Sequence, residues 1–242
     1  MKKTGTYQFA SKPSIVSTAV SVGPLEKVSP FHPHFDFIYE DERIGQETNE
    51  KGHSQLIEDT CNMAVTKGGF QLQDIDLFLA GDLVNEMTPT NFAARQLATP
   101  FMGMFSACAT SVSSLITASF ILETKLMDNI LFGAASQHNA VERQFRYPIE
   151  YGAQKPPTGQ WTVTGGGYGI LSHHQTGKPY VQSATIGQVM DCECTDPLDM
   201  GSAMAPAAFD TIQKHLAQNK GTSYDFVMTG DLGKNGFSIL QE

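Results

Sequence analysis

The stretch Asp76-Leu77-Phe78-Leu79-Ala80-Gly81-Asp82-Leu83 decides the fold class. Its apolar run, Leu77–Ala80, is continuous and of strand length, which suits a parallel strand buried on both faces. The same order returns downstream as Asp225-Phe226-Val227-Met228-Thr229-Gly230-Asp231-Leu232. Each copy follows a helical pattern, Ser54–Lys67 before the first and Ala205–Leu216 before the second. A lone Gly-Asp-Leu tripeptide recurs by chance, but helix, apolar strand and Gly-Asp-Leu in one order argue for duplication. After the first copy the chain runs on through further strands, and after the second it stops at Glu242. The expectation is a first half with inserted loops over 1–185 and the start of a second, truncated half over 186–242.

Working outward, Leu56, Ile57, Cys61, Ala64 and Val65 recur at helical spacing, and Gly68-Gly69 stops that helix. Upstream, Ile15–Val22 is a strand candidate ended by Gly23-Pro24, and a Pro/His loop spans Ser29–His34. The first 47 residues thus read as one strand and a surface loop. Downstream, a helix is expected over Thr90–Leu97, capped by Thr90, with Phe92, Ala93 and Leu97 on its buried face. Pro100 closes it. Phe101–Phe105 reads as a buried strand, Ser111–Lys125 as a helix of small residues and Ile130–Ala134 as another strand. Alternation of helix and strand with short links defines a layered α/β fold. The Gly-rich segment Thr162–Gly169 lacks G-x-G-x-x-G spacing and a following helix, so it reads as a strand packed closely through its glycines.

With 242 residues, 40% apolar and 17% charged, the chain can bury a sizeable core. Its 25 acidic against 16 basic residues give a net charge of -9, which argues against a nucleic-acid partner. An anionic ligand therefore needs a local basic pocket, and of the four arginines (Arg43, Arg95, Arg143, Arg146) two lie three positions apart. No apolar stretch follows Met1-Lys2-Lys3-Thr4-Gly5, so no secretory signal is read and the cytosol is the default compartment. Gln96–Leu122 carries no charge over 27 residues, yet Pro100 and the abundant small and hydroxyl residues fit buried core better than a membrane span. Cys61, Cys108, Cys192 and Cys194 are too few for a disulfide framework and read as reduced thiols. Cys192-Glu193-Cys194 has no second pair and the His pairs lack zinc spacing, so neither metal nor cofactor is expected.

Met104-Phe105-Ser106-Ala107-Cys108-Ala109-Thr110-Ser111 sets one thiol at a buried strand-to-helix turn. Helix N-terminal N–H groups favour thiolate there, and small neighbours let a substrate approach. A core cysteine among small residues explains the same stretch. His138 and Asn139 follow the Ile130–Ala135 strand, where α/β ligands collect. A condensing enzyme needs such a histidine for proton transfer and a polar donor for the oxyanion; a structural polar residue is the other reading. Arg143 and Arg146 share a face if helical, and with Lys155 they suit a planar dianion. Alternatively they bridge Glu142 and Glu150. Asp82 reads as a turn or cap residue, or as a pocket group.

Phe105–Ser111 resembles the active-site cysteine turn of the thiolase and ketoacyl-synthase superfamily. More specifically, the run His138–Pro148 with Glu150-Tyr151-Gly152 and Gln154-Lys155-Pro156 resembles the stage V sporulation protein AD family. So do Leu79–Leu83 and the run from Asp196 to Ala208. Ala109, where that family commonly has Ser, and Cys192-Glu193-Cys194 depart from the pattern. The resemblance implies a thiolase-like layered αβαβα fold with two duplicated halves, the second incomplete here. It implies binding of dipicolinic acid (pyridine-2,6-dicarboxylate) and its uptake into the developing spore, with Cys108, His138, Asn139, Arg143, Arg146, Lys155 and Asp82 as pocket residues. It further implies other stage V sporulation A proteins as partners, peripheral attachment through them to the cytoplasmic side of the spore or forespore inner membrane, and, by analogy with the fold, a homodimer. Enzymatic turnover is not implied. An acyltransferase with Cys108 as nucleophile is the competing reading.

Overall fold

A computed structural model describes residues 5–145, 160–196 and 199–241. In chain order the strands are β1 Thr6–Gln8, β2 Ser14–Val22, β3 Phe37–Ile38, β4 Leu77–Gly81, β5 Phe101–Gly103, β6 Asn129–Ser136, β7 Gly165–Ser172 and β8 Ser183–Thr185. The α-helices are α1 Asn49–Lys67, α2 Thr88–Leu97, α3 Thr110–Glu123, α4 His138–Phe145, α5 Met200–Gln218 and α6 Gly233–Gln241. The described residues form two compact units: a larger one within Phe9–Gly152 and Thr162–Gln182, and a smaller one within Met1–Gln8, Ala153–Trp161 and Ser183–Glu242.

In the larger unit six strands make one mixed sheet in the order β3-β2-β7-β6-β4-β5. β4 runs parallel to both β5 and β6, while β7 is antiparallel to β6 and β2. All five residues of β4 are buried, as a continuous apolar run requires at the centre of a two-faced sheet. Alternation sends Phe78 and Ala80 into a core with Leu56, Ile57 and Cys61 of α1 and Ala93 and Leu97 of α2. Leu77 and Leu79 go to the other face, against Ala118 and Leu122 of α3. The result is three layers, helix on sheet on helix. At Gly133 an added Cβ would overlap the Gly167 carbonyl, so the β6–β7 pair needs glycine there, in keeping with the close-packing reading of the Gly-rich segment.

Three local expectations are corrected. Helix α1 begins at Asn49, because Thr48 caps it through Lys51 N–H (3.2 Å) and Gly52 passes close to the Arg43 carbonyl. Helix α2 begins two residues before Thr90, which is no cap; its buried stripe is Pro89, Thr90, Ala93, Ala94 and Leu97. Phe92 lies off that stripe and is 52% exposed, with the Arg95 guanidinium over its ring. Phe101–Phe105 is not a buried strand: β5 ends at Gly103, has only β4 as partner among the described residues and is largely exposed.

In the smaller unit β1 and β8 pair antiparallel, and α5 is capped by Asp199, whose carboxylate accepts from Ser202 N–H (3.1 Å). Gly201 and Gly236 let α5 and α6 cross in near backbone contact. Phe226–Thr229, expected as the second copy of β4, pairs with no strand among the described residues.

Candidate functional site

Cys108 sits in a single 3-10 turn, Ala107–Ala109, between the edge strand β5 and helix α3. Thr110 fixes the turn: its hydroxyl donates to the Ala107 carbonyl (2.8 Å) and accepts from Ser106 N–H (3.1 Å). Ala107 is held at φ 46°, a left-handed conformation costly for a residue with a Cβ, on the order of 1–3 kcal/mol. The turn was expected to be buried, but Cys108 is exposed, because an edge strand has no neighbour to cover the turn that leaves it.

The thiol borders a cavity of about 410 Å³, lined by Val20, Val22, Phe35, Leu83 and Val163, by the Gly165–Gly167 backbone, and by the polar groups of Glu26, Ser29 and Ser136. One wall is strand backbone almost free of side chains. At Gly167 an added Cβ would meet no atom within 4 Å.

Thr164, the residue before β7, organises the polar side. Its N–H donates to Glu26 Oε1 (3.2 Å), its hydroxyl donates to Glu42 Oε2 (2.6 Å) and accepts from His138 N–H (3.0 Å). His138 Nδ1 donates to the Thr162 carbonyl (2.6 Å), which fixes the ring at the start of α4. Burial pushes the Glu26 carboxyl above its usual range; N–H groups of Thr164 and Glu26 itself oppose this, the charge of Glu42 adds to it, and that of His138 opposes it.

Of the expected site residues that are described, Cys108 alone lines this cavity. Asp82 is 1% exposed: Oδ1 accepts from Val84 N–H (2.7 Å), and Oδ2 accepts from Thr90 N–H (2.9 Å) and from the Thr90 hydroxyl. That is the turn-and-helix-organising arrangement. Asn139 is the second residue of α4 and half-buried. Arg143 is exposed and pairs with Glu50 (3.1 Å), not with Glu142, whose carboxylate accepts from Thr162 N–H. Arg146, Lys155 and Glu150 lie outside the described residues. Sequence reasoning missed Glu26, Glu42 and Thr164. The two glutamates come from what reads as surface loop, and only the buried strand leading into that loop signals that it returns to the core.

The fold has counterparts among solved structures. The 3-oxoacyl-(acyl carrier protein) synthase III, FabH, of Xanthomonas oryzae matches with a TM-score of 0.62 at 13% identity, over 97% of this chain and 81% of that one. A variant of Xanthomonas campestris OleA matches with a TM-score of 0.63, also at 13% identity and over 97% and 81% of the two chains. The fold is therefore thiolase-like α/β. The family description Stage V sporulation protein AD fits residues 3–242. Stage V sporulation protein AD of Bacillus subtilis (strain 168) is 43% identical over 247 residues, spanning all of this chain and 72% of that protein. The chain belongs to the Stage V sporulation protein AD family. Among the described residues no helix is long and apolar enough to cross a membrane.

Proposed function

We propose that this chain binds dipicolinic acid and serves its uptake into the developing spore. In this reading it works on the cytoplasmic side of the spore or forespore inner membrane, held there by other stage V sporulation A proteins. The observation that carries the reading is the cavity beside Cys108 in a chain of a sporulation family: its volume of about 410 Å³ lies within the range of about 300–1,000 Å³ usual for small-molecule sites. Apolar side chains and bare Gly165–Gly167 backbone make a wall on which a planar ring can lie. Arg143, which in this structure pairs with Glu50 off the cavity lining and would have to leave it, and Arg146 and Lys155 are the cations we propose for the ligand's carboxylates.

Calorimetric titration of the chain with dipicolinate tests this, with Gly167→Val as the control that fills the cavity. The expected result is binding by the parent chain and at least tenfold weaker binding by the variant at unchanged melting temperature. Equal binding by both would move the site elsewhere, and no binding by the parent would end the reading. The exposure of Cys108 on the cavity favours one other activity, acyl transfer from acyl-CoA to its thiol, which a mass gain on Cys108 would report. We further propose a homodimer through the open edge of β5, where Met102, Phe105 and Val112 are each more than half exposed. Sedimentation should give a dimer that Phe105→Asp dissociates; a monomeric parent chain would refute it.

A further inference from the structure

The Cys108 cavity presents an anion with a charge problem. Among the described residues its lining holds no lysine, arginine or histidine; its ionisable groups are Cys108 and Glu26. A carboxylate on the wall repels an incoming dianion, more strongly in a half-desolvated pocket than in water.

Glu26 has a companion. The N–H of Thr164 donates to Glu26 and its hydroxyl donates to Glu42, so two carboxyls hang on one threonine. Each also has a second oxygen, Oε2 of Glu26 and Oε1 of Glu42, that is buried with no protein hydrogen-bond partner. Two ionised carboxylates in this position repel one another and leave two buried acceptors without donors, which is costly. One proton on the pair removes a charge and converts an acceptor into a donor. The other titratable groups facing Glu26 are His138 from α4, whose charge works against protonation, and Cys108 across the cavity. Burial and the charge of Glu42 both act in the direction that proton sharing requires.

We propose that Glu26, hung with Glu42 on Thr164, is a proton-binding site, so that above the pH at which the empty site loses its proton an anion entering the Cys108 cavity is bound together with a proton taken up from solvent. The proton site stands on the geometry alone; its coupling to an anion rests on the dipicolinate reading. Where the empty pair has lost its proton, binding restores it. Affinity then falls about tenfold for each unit rise in pH, one proton being taken up per ligand.

The experiment has two arms. In the ligand-free chain, ¹³C NMR titration of the glutamate carboxyls, assigned with Glu26→Gln and Glu42→Gln, should find Glu26 protonated above the ordinary carboxylate range, and Glu42→Gln should return it toward that range. Two ordinary, independent titrations would overturn the inference. In the second arm, dipicolinate binding is measured calorimetrically in buffers of different ionisation heat across neutral pH. Uptake approaching one proton is expected for the parent chain, and a flattened pH slope for both variants. Binding without proton uptake, or a slope unchanged in both variants, would also overturn the inference. No dipicolinate binding alongside a raised carboxyl titration would instead defeat the functional reading while the proton site stands.

Discussion

Leu77–Gly81 and Phe226–Thr229 carry the same chemistry into opposite settings. The first is a fully buried strand between two parallel neighbours. The second has Phe226, Val227 and Met228 at 84%, 64% and 89% exposure and pairs with no described strand. Yet the residues after the two runs do the same thing. Oδ1 of Asp82 accepts from Val84 N–H (2.7 Å), and Oδ1 of Asp231 accepts from Gly233 N–H (2.8 Å). This is the aspartate turn, whose side chain caps the backbone two residues on. Its recurrence needs nothing beyond three consecutive residues. A strand, by contrast, is made by its neighbours, because β-preference is largely a preference for a packed, paired surface. Local structure therefore survives in both copies, and nonlocal structure only where partners are present.

Replacing the two aspartates should separate the shared part from the added part. Asp82→Ala removes the turn and also strands Thr90 N–H and the Thr90 hydroxyl in a buried site, where each unpaired group costs about 1–3 kcal/mol. The expected loss is about 3 kcal/mol or more of unfolding free energy. Asp231→Ala removes an exposed turn alone and should change stability by no more than about 0.5 kcal/mol. Denaturant midpoints measure both, and equal losses would break the comparison.

The same division decides what could be read from the sequence. The helices α1 and α3, the strands β2, β4 and β6 and the turn bearing Cys108 were legible because periodicity and glycine stops are local signals. The exposure of Cys108 was not, since being the last strand of a sheet is a fact about other strands. Phe92 was misplaced because the buried stripe, Pro89, Thr90, Ala93, Ala94 and Leu97, follows three-and-four spacing and leaves position 92 off it, however apolar its side chain. Glu26 and Glu42 were invisible for a related reason. A glutamate in a Pro- or Gly-flanked loop looks solvated, and only the folded chain brings both to Thr164, more than a hundred residues later.

The glycines before the two aspartates give the sharpest test, because the sign of the effect should differ between the two runs. Gly81 and Gly230 are equivalent, each directly before the turn aspartate. At Gly81 an added Cβ would overlap the Met104 carbonyl, whose own N–H donates to the Ala80 carbonyl (2.9 Å) in the β4–β5 ladder. Neither backbone can yield without moving β5, so Gly81→Ala should cost about 1–3 kcal/mol. It should also displace the Cys108 turn that begins three residues beyond Met104 and weaken whatever binds in the cavity. At Gly230 a Cβ meets nothing within 4 Å, and its φ lies outside the left-handed region. There Gly→Ala acts through the unfolded chain, which loses conformational freedom, and should raise stability by about 0.4–1 kcal/mol. A loss at Gly230 comparable to that at Gly81 would mean that the second run is packed against partners after all, and the contrast between the two copies would fall.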